Sequence, residues 1–138
     1  MERVLFIKAE NFESAYNRGM EFIKDSVKDF DKRVNNNIVL AFEEAFVNIL
    51  KYNSNKKDLK VFINIKLDQN EFKVRIKDNG EKFDPLLKEE PDFSLSADEM
   101  DIGGMGIYIL KKVTDEVEYE YKENCNILKF GVKLNDKT

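Results

Sequence analysis

Apolar residues recur along the chain with two different periods, one typical of helices and one of strands. After Asn11, a suitable N-cap, they are spaced three or four positions apart, as on one face of an amphipathic helix: Phe12, Tyr16, Met20, Ile23, Val27 and Phe30. Similar spacing predicts a second helix over about residues 36–52. A third helix is predicted over residues 106–116, directly after a glycine cluster.

Alternation of apolar and polar residues predicts strands over residues 3–9, 59–68, 71–78, 117–123 and 126–134. Residues 69–70 join the second and third strands as a hairpin, and the last two strands form another. A loop over about residues 79–100 precedes the third helix. This order is typical of an α+β two-layer sandwich, in which about three helices cover one face of a mainly antiparallel, mixed sheet. With no linker or repeat, one domain is expected over residues 1–138.

The second predicted helix is apolar on most sides but has one narrow polar stripe, formed by Glu44, Asn48 and Lys51. A carboxylate or an amide that is buried without a partner is costly. Either Glu44 pairs with Lys51 while Asn48 caps a nearby backbone group, or these residues face a polar cavity. The aromatic residues on apolar faces are assigned to the core: Phe12, Tyr16, Phe42, Phe46 and Phe72.

Two strand residues are predicted to point toward the same interior. Asp78 and Asn126 continue the inward phase of the apolar residues in their strands. If the alternation instead stops at residue 77, Asp78 is solvent-exposed. One shared cavity between the helices and the sheet explains all four polar residues, namely Glu44, Asn48, Asp78 and Asn126.

Composition limits the chemistry of such a cavity. A hydrophobic fraction of 42%, with 11 Phe, indicates a packed core. Within these residues there is no histidine, which excludes a histidine base, a Ser-His-Asp triad and a histidine-ligated zinc. The single cysteine, Cys125, excludes an intrachain disulfide. The net charge of −4 provides no broad footprint for nucleic acid.

The apolar runs of the chain are short. The run near the N-terminus is too short for the core of a signal peptide, and no segment has the length of a membrane span. A cytoplasmic protein that does not contact a membrane is therefore expected.

Two glycine-containing segments suggest a ligand for the cavity. In "DNG", residues 78–80, a glycine lets the backbone turn tightly beside Asp78 and removes a side chain that could block the pocket. In "GGMG", residues 103–106, glycines expose backbone N–H groups at a helix N-terminus, where a phosphate can bind. Either segment alone is a weak signal, and their order relative to Glu44 and Asn48 is more specific.

Three segments, in this order, resemble the boxes of the Bergerat-fold ATPases, the superfamily of gyrase, heat-shock chaperone ATPases, histidine kinases and MutL: "EEAFVN", "DNGEKFDP" and "GGMGIYILKKVTDEV". The short chain and the "NGEKFDP" form are most similar to the anti-sigma factor serine/threonine kinases. The resemblance extends over about residues 4–134. It implies a Bergerat ATP-binding fold with ATP and Mg²⁺ as cofactors.

The resemblance also implies roles for individual residues. Asp78 would accept a hydrogen bond from the adenine amino group, and Gly80 would shape the base pocket. Asn48 would bind Mg²⁺, and Glu44 would be the general base. The segment that would contact the phosphates and hinge the lid comprises Gly103, Gly104, Met105 and Gly106. Asn126 is included in the nucleotide site because of its inward phase.

The function implied by the resemblance is that of a regulatory kinase. It would bind a sigma factor and phosphorylate a serine or threonine of an anti-sigma factor antagonist. Members of that family commonly form dimers, so a homodimer is a further expectation. Tyr52 and Ile102 stand where many members carry His and Arg. This departure favours an alternative, a weak or inactive nucleotide-binding module that regulates a partner by binding alone. A detached histidine-kinase domain is a third hypothesis.

Overall fold

The computed structural model describes residues 1–87 and 102–134, with side chains from residue 107 onward in the second range. Five strands and three α-helices follow one another in the predicted order. They are β1 (Glu2–Lys8), α1 (Phe12–Val27), α2 (Lys32–Tyr52), β2 (Lys60–Asp68), β3 (Glu71–Asp78), α3 (Ile102–Val113), β4 (Glu116–Lys122) and β5 (Cys125–Lys133). A short 3₁₀ helix, Pro85–Leu87, follows β3.

The five described strands form one sheet in the order β1-β2-β3-β5-β4, and each neighbouring pair is antiparallel. Alternate residues of the central strands are buried in one core with the apolar faces of the helices, whereas the residues between them are mostly exposed. The predicted α+β sandwich is therefore confirmed. Among the described residues, no helix is both long enough and apolar enough to cross a membrane.

The helix boundaries differ from the predicted ones at several points. The prediction for α2 began at about residue 36, but Asp31 caps this helix by accepting a hydrogen bond from the Val34 N–H at 3.0 Å, so it begins at Lys32. Asn11 caps α1 as predicted, with its side chain accepting from the Ser14 N–H at 2.8 Å. Helix α3 begins at Ile102, which places residues 103–106 inside its first turn rather than before it.

The core assignment of Phe12 is wrong. Its side chain is 45% exposed and stacks on Tyr16 along the surface of α1, with the ring centroids 5.8 Å apart. Phe12 lies in the first turn of α1, beyond the part of the helix that the neighbouring elements cover. Three of the other four aromatic residues assigned to the core are fully buried, Phe42, Phe46 and Phe72, and Tyr16 is half-buried.

Helix α1 packs closely on α2 because Gly19 has no side chain. A Cβ atom at Gly19 would lie 2.3 Å from Cε2 of Phe46, which is fully buried. The Phe46 ring also stacks on Phe42, with the centroids 5.1 Å apart. This contact holds α1 against the outer side of α2, the helix that carries Glu44 and Asn48.

Candidate functional site

Asp78 and Asn126 are neighbours on the inner face of the sheet. They are register partners on β3 and β5, and their exposed fractions are 3% and 5%. Each follows the inward phase of its strand, as the sequence predicts. The alternation in β3 therefore continues through its last residue, and a carboxylate lies in the interior.

The two oxygens of the Asp78 carboxylate have different surroundings. Oδ1 accepts hydrogen bonds from the Gly80 N–H at 2.9 Å and from Asn126 Nδ2 at 3.0 Å. Oδ2 accepts none from the residues that the structure describes. Burial raises the pKa of this carboxyl above its ordinary value, although the hydrogen bonds from Asn126 and Gly80 oppose that effect. The protein thus fixes one oxygen, whereas the other has no partner among the described residues and can accept a bond from a ligand.

A cavity of about 30 Å³ lies beside Asp78. Its walls are largely apolar and aromatic, with Ala45, Ile49, Tyr52, Phe83 and Leu128 among them. A flat heteroaromatic ring with an exocyclic amino group fits this combination of apolar walls and one carboxylate acceptor. Ligand pockets usually measure roughly 300–1,000 Å³. A ring can therefore enter only after the lining side chains have moved.

Tyr52 and Phe83 stack on each other at the wall of this cavity, with ring centroids 4.4 Å apart. Tyr52 is 49% exposed, so its ring can turn toward solvent without leaving a packed core. Phe83 follows the Asp78–Gly80 turn and is only half-exposed. Movement of the Tyr52 ring would therefore enlarge the cavity with a smaller loss of packing than movement of Phe83.

Asn48 and Glu44 lie one turn apart on α2. Asn48 lines the Asp78 cavity, whereas Glu44 is half-buried outside it. Neither side chain forms a hydrogen bond or an ion pair with another described residue, so the structural roles considered for them, including a Glu44–Lys51 pair, are not present there. Burial raises the pKa of Glu44, the charge of Glu43 adds to this, and Lys51 opposes it.

The amide oxygen of Asn48 is the kind of ligand that Mg²⁺ binds. Mg²⁺ in phosphate sites commonly takes one or two protein oxygens and completes its shell with phosphate and water. Among the described residues, no group of three or more acidic, histidine or cysteine side chains could hold a metal ion. A Mg²⁺ ion at Asn48 would therefore take one amide oxygen from this side chain and would need phosphate and water for the rest of its shell.

The side chain of Asn126 holds the segment that follows β3. Its Oδ1 accepts from the Phe83 N–H at 3.0 Å and from the Tyr119 hydroxyl, and its Nδ2 donates to the Glu81 carbonyl at 2.9 Å. Tyr119 was not identified from the sequence as part of the site. The signal was available, because Tyr119 has the inward phase of β4.

Gly80 is buried and does not line the Asp78 cavity. A Cβ atom at this position would lie 2.4 Å from Oδ1 of Asn53, a second residue that the sequence analysis missed. Gly80 therefore shapes the site by leaving room for the Asn53 amide. Asn53 ends α2, and nothing in the local pattern indicates a contact with a turn so far along the chain.

The predicted phosphate segment is only partly described. Residues 103–106 lie at the start of α3, where only the first N–H groups have no partner within the helix; the Gly106 N–H, four residues after Ile102, is placed to bond to the Ile102 carbonyl. The surroundings of Gly103, Gly104, Met105 and Gly106, like the whole of residues 88–101, lie outside what the structure describes. Their contacts with phosphate stay a prediction.

A larger depression, of about 330 Å³, lies on the opposite face of the sheet. Its polar lining residues, which include Lys66, Lys73, Arg75 and Lys129, are exposed or half-exposed. Acidic side chains from β4 border it as well. No buried polar group points into this depression, so the smaller cavity beside Asp78 is the better candidate site.

The chain is similar to known proteins over most of its length. Residues 15–131 match the model of the histidine kinase-like ATPase domain. The serine-protein kinase RsbW of Listeria monocytogenes serovar 1/2a is 26% identical over 94 residues, which cover 64% of this chain and 60% of that protein. RsbW of Listeria innocua is 24% identical with the same coverage. The match thus spans about 60% of the length of these curated relatives.

A solved structure is similar over nearly the whole chain. It is the catalytic domain of the histidine kinase ThkA in a nucleotide-free form, with a TM-score of 0.55 and 12% identity. The similarity covers 96% of this chain and 97% of that domain. At this identity the likeness shows a common fold.

Proposed function

The chain belongs to the family of histidine kinase-like ATPase domains, and on that premise we propose that it binds Mg-ATP and acts as an anti-sigma factor with serine/threonine kinase activity. The observation that carries the proposal is the Asp78 carboxylate, which has one oxygen fixed by Gly80 and Asn126 and the other free beside an apolar cavity. The RsbW relatives are named serine-protein kinases, which supports the serine specificity.

Asp78 is proposed to recognise adenine. Its free Oδ2 accepts a hydrogen bond from the exocyclic amino group, while the apolar walls contact the faces of the ring. Guanine has a carbonyl oxygen where adenine has that amino group, and an ionised carboxylate repels it. A site built around a buried acceptor rejects a ligand that leaves the acceptor unpaired. The site should therefore prefer ATP to GTP.

Asn48 and the start of α3 are proposed to hold the phosphate end of the nucleotide. The amide oxygen of Asn48 is a ligand for Mg²⁺, and the unpaired N–H groups of the first turn of α3 receive phosphate oxygens. Mg²⁺ supplies positive charge that neutralises the phosphates during transfer.

Glu44 is proposed as the general base. Its carboxylate accepts the proton of a partner's serine hydroxyl as that oxygen bonds to the γ-phosphorus, and the bond from the phosphorus to the bridging oxygen of ADP breaks. A raised pKa makes a carboxylate a better proton acceptor at neutral pH. The partners that follow from this activity are an anti-sigma factor antagonist, which is phosphorylated, and a sigma factor, which is bound.

One observation favours the alternative of a module that regulates its partner by binding alone. The cavity beside Asp78 is small, and Tyr52, which stands where the resembled kinases often carry His, stacks on Phe83 at its wall. A protein that no longer binds nucleotide would retain such a closed cavity. Phosphate transfer to a partner's serine separates the two functions, because the alternative module regulates by binding alone, with or without nucleotide.

The experiment compares the parent with Glu44→Gln and, as a matched control, Glu43→Gln. Glu43 neighbours Glu44 but is engaged by the Tyr16 hydroxyl. ATP affinity is measured by calorimetry, and phosphate on the serine of a purified antagonist from the same organism by intact-mass spectrometry. Removal of a general base typically lowers rates by about 10²–10⁴-fold. We expect that loss for Glu44→Gln, with ATP affinity retained, and near-parental transfer for the control. Equal transfer in the parent and Glu44→Gln would contradict the assignment of Glu44.

A further inference from the structure

The end of α2 contacts the turn that follows β3 at three points. The Asn53 amide lies over Gly80, the Asn53 Oδ1 accepts from the Glu81 N–H at 3.2 Å, and the Tyr52 ring stacks on Phe83. Asn53 is only 8% exposed although it ends a helix. A buried amide at a helix end indicates a specific contact, because asparagine is usually solvent-exposed.

The amide of Asn53 is held from two directions. Its Nδ2 donates to the Ile49 carbonyl in the last turn of α2 at 2.9 Å, and its Oδ1 receives the Glu81 N–H. The side chain therefore needs both a donor and an acceptor, which an amide provides and a carboxylate does not. Moving it away from Gly80 would break both hydrogen bonds.

The Glu81 backbone is held on both sides by asparagine side chains from different elements. Asn53 of α2 binds its N–H, and Asn126 of β5 binds its C=O at 2.9 Å. Asn126 also bonds to Asp78 Oδ1. The turn that carries the adenine acceptor is thus tied to the sheet through one asparagine and to the helix of Asn48 through the other.

We propose that Asn53 is a positioning residue for the nucleotide, which fills the space left by Gly80 and fixes the distance between the base-binding turn and the α2 residues at the phosphate end. The inference rests on the proposed function. A ligand that contacts both regions at once, such as ATP, gains from this fixed spacing, because small misplacements of a bound ligand are costly. Adenosine, which contacts only the base-binding turn, gains much less.

The test uses the parent, Asn53→Ala, Gly80→Ala and the double variant. Asn55→Ala is the control, since Asn55 lies two residues further on, is exposed and has no hydrogen bond to another described residue. The dissociation constants of Mg-ATP and adenosine are measured by calorimetry, and Tm by circular dichroism. For Asn53→Ala we expect ATP affinity to fall about tenfold, the equivalent of one hydrogen bond, and adenosine affinity to fall less than about threefold.

The double variant tests the packing of Asn53 against Gly80. Gly80→Ala alone should lower Tm, because the new methyl group meets the Asn53 amide. Adding Asn53→Ala should raise Tm again, because the methyl group then occupies the vacated space. A double variant with a Tm below both single variants would show that the two residues do not share this space, and it would overturn the inference.

The two ligands separate a positioning role from a structural one. If Asn53→Ala weakens ATP and adenosine by the same factor, Asn53 only supports the fold, and the positioning role is wrong while nucleotide binding stands. If the parent binds neither ligand at millimolar concentration, the proposed function fails and the positioning role fails with it. In either case the control variant, Asn55→Ala, should bind both ligands and unfold nearly as the parent does.

Discussion

Replacement of Asn126 by alanine should destabilise the protein strongly, because one buried side chain forms hydrogen bonds of 3.0 Å or shorter with four other groups. Asn126 bonds to the Asp78 carboxylate, the Glu81 carbonyl, the Phe83 N–H and the Tyr119 hydroxyl. Asparagine has two donors and one acceptor oxygen, and most of this capacity is used here. Alanine can satisfy none of these groups, so each must find water or stay unpaired.

The size of the effect follows from the number of groups left without a partner. Each buried group that loses its partner costs about 1–3 kcal/mol. The bonds to Glu81, Phe83 and Tyr119 lie in part-buried surroundings, where water can replace part of the loss, so the lower end of the range applies to them. With about 1 kcal/mol for each of these three bonds and about 1–3 kcal/mol for the buried bond to Asp78, we expect a total of about 4–6 kcal/mol. For a chain of this length that corresponds to a fall in Tm of roughly 14–20 °C.

The assay is thermal unfolding followed by circular dichroism, with urea unfolding as a second measurement of the free energy of unfolding. Asn70→Ala is the control: Asn70 is an exposed asparagine in the β2–β3 hairpin at the other end of the strands, and a change within about 0.5 kcal/mol is expected there. If Asn126→Ala lowered Tm no more than the control does, the hydrogen-bond network around Asp78 would not be what holds this turn.

Three further predictions concern Asp78, the contact between α1 and α2, and the proposed metal ligand. Burial raises the pKa of Asp78 above its unfolded value of about 3.9, so the folded state binds more protons between the two pKa values and the free energy of unfolding falls as pH rises through that window. Asp78→Asn should therefore be more stable than the parent at pH 7 by urea unfolding, with the difference shrinking as the pH falls toward about 4; an equal difference at both pH values would refute this. Gly19→Ala should lose about 1–3 kcal/mol in the same assay, because its methyl group meets the buried Phe46 ring, and an unchanged unfolding midpoint would show that α1 can shift freely on α2. Asn48→Ala should bind ATP equally well with Mg²⁺ and with EDTA, whereas the parent should bind more tightly with Mg²⁺; a Mg²⁺ effect that survives in the variant would exclude Asn48 as the metal ligand.

The inward orientation of the site residues on the sheet could be predicted from the sequence on the condition that β3 extends through Asp78, which it does. Side chains alternate strictly between faces, so the buried apolar residues of β3 and β5 determine where Asp78 and Asn126 point. The polar stripe of α2 was informative for Asn48, which lines the cavity, but not for Glu44, which lies outside it. A carboxylate and an amide one turn apart on a mostly apolar helix are uncommon unless they face something polar.

The wrong or missed assignments concern contacts that the spacing of apolar residues along the chain does not reveal. The spacing of Phe12 matches the apolar face of α1, but spacing does not reveal how far along the helix its neighbours extend, and Phe12 is exposed. The start of α2 depends on the cap formed by Asp31. The role of Asn53 depends on a group distant in sequence, the Glu81 N–H. Such long-range hydrogen bonds become visible only once the chain is folded.

The most direct test of the central claim, that the cavity beside Asp78 binds adenine, is a calorimetric titration of Mg-ATP into the parent and into Asp78→Asn. Asparagine keeps the acceptor oxygen that Gly80 and Asn126 bind but places an amide nitrogen where the free carboxylate oxygen faces the ligand. We predict saturable binding of ATP to the parent and no detectable binding to Asp78→Asn at the same concentrations. Equal binding by the two proteins, or none by the parent at millimolar ATP, would contradict the account.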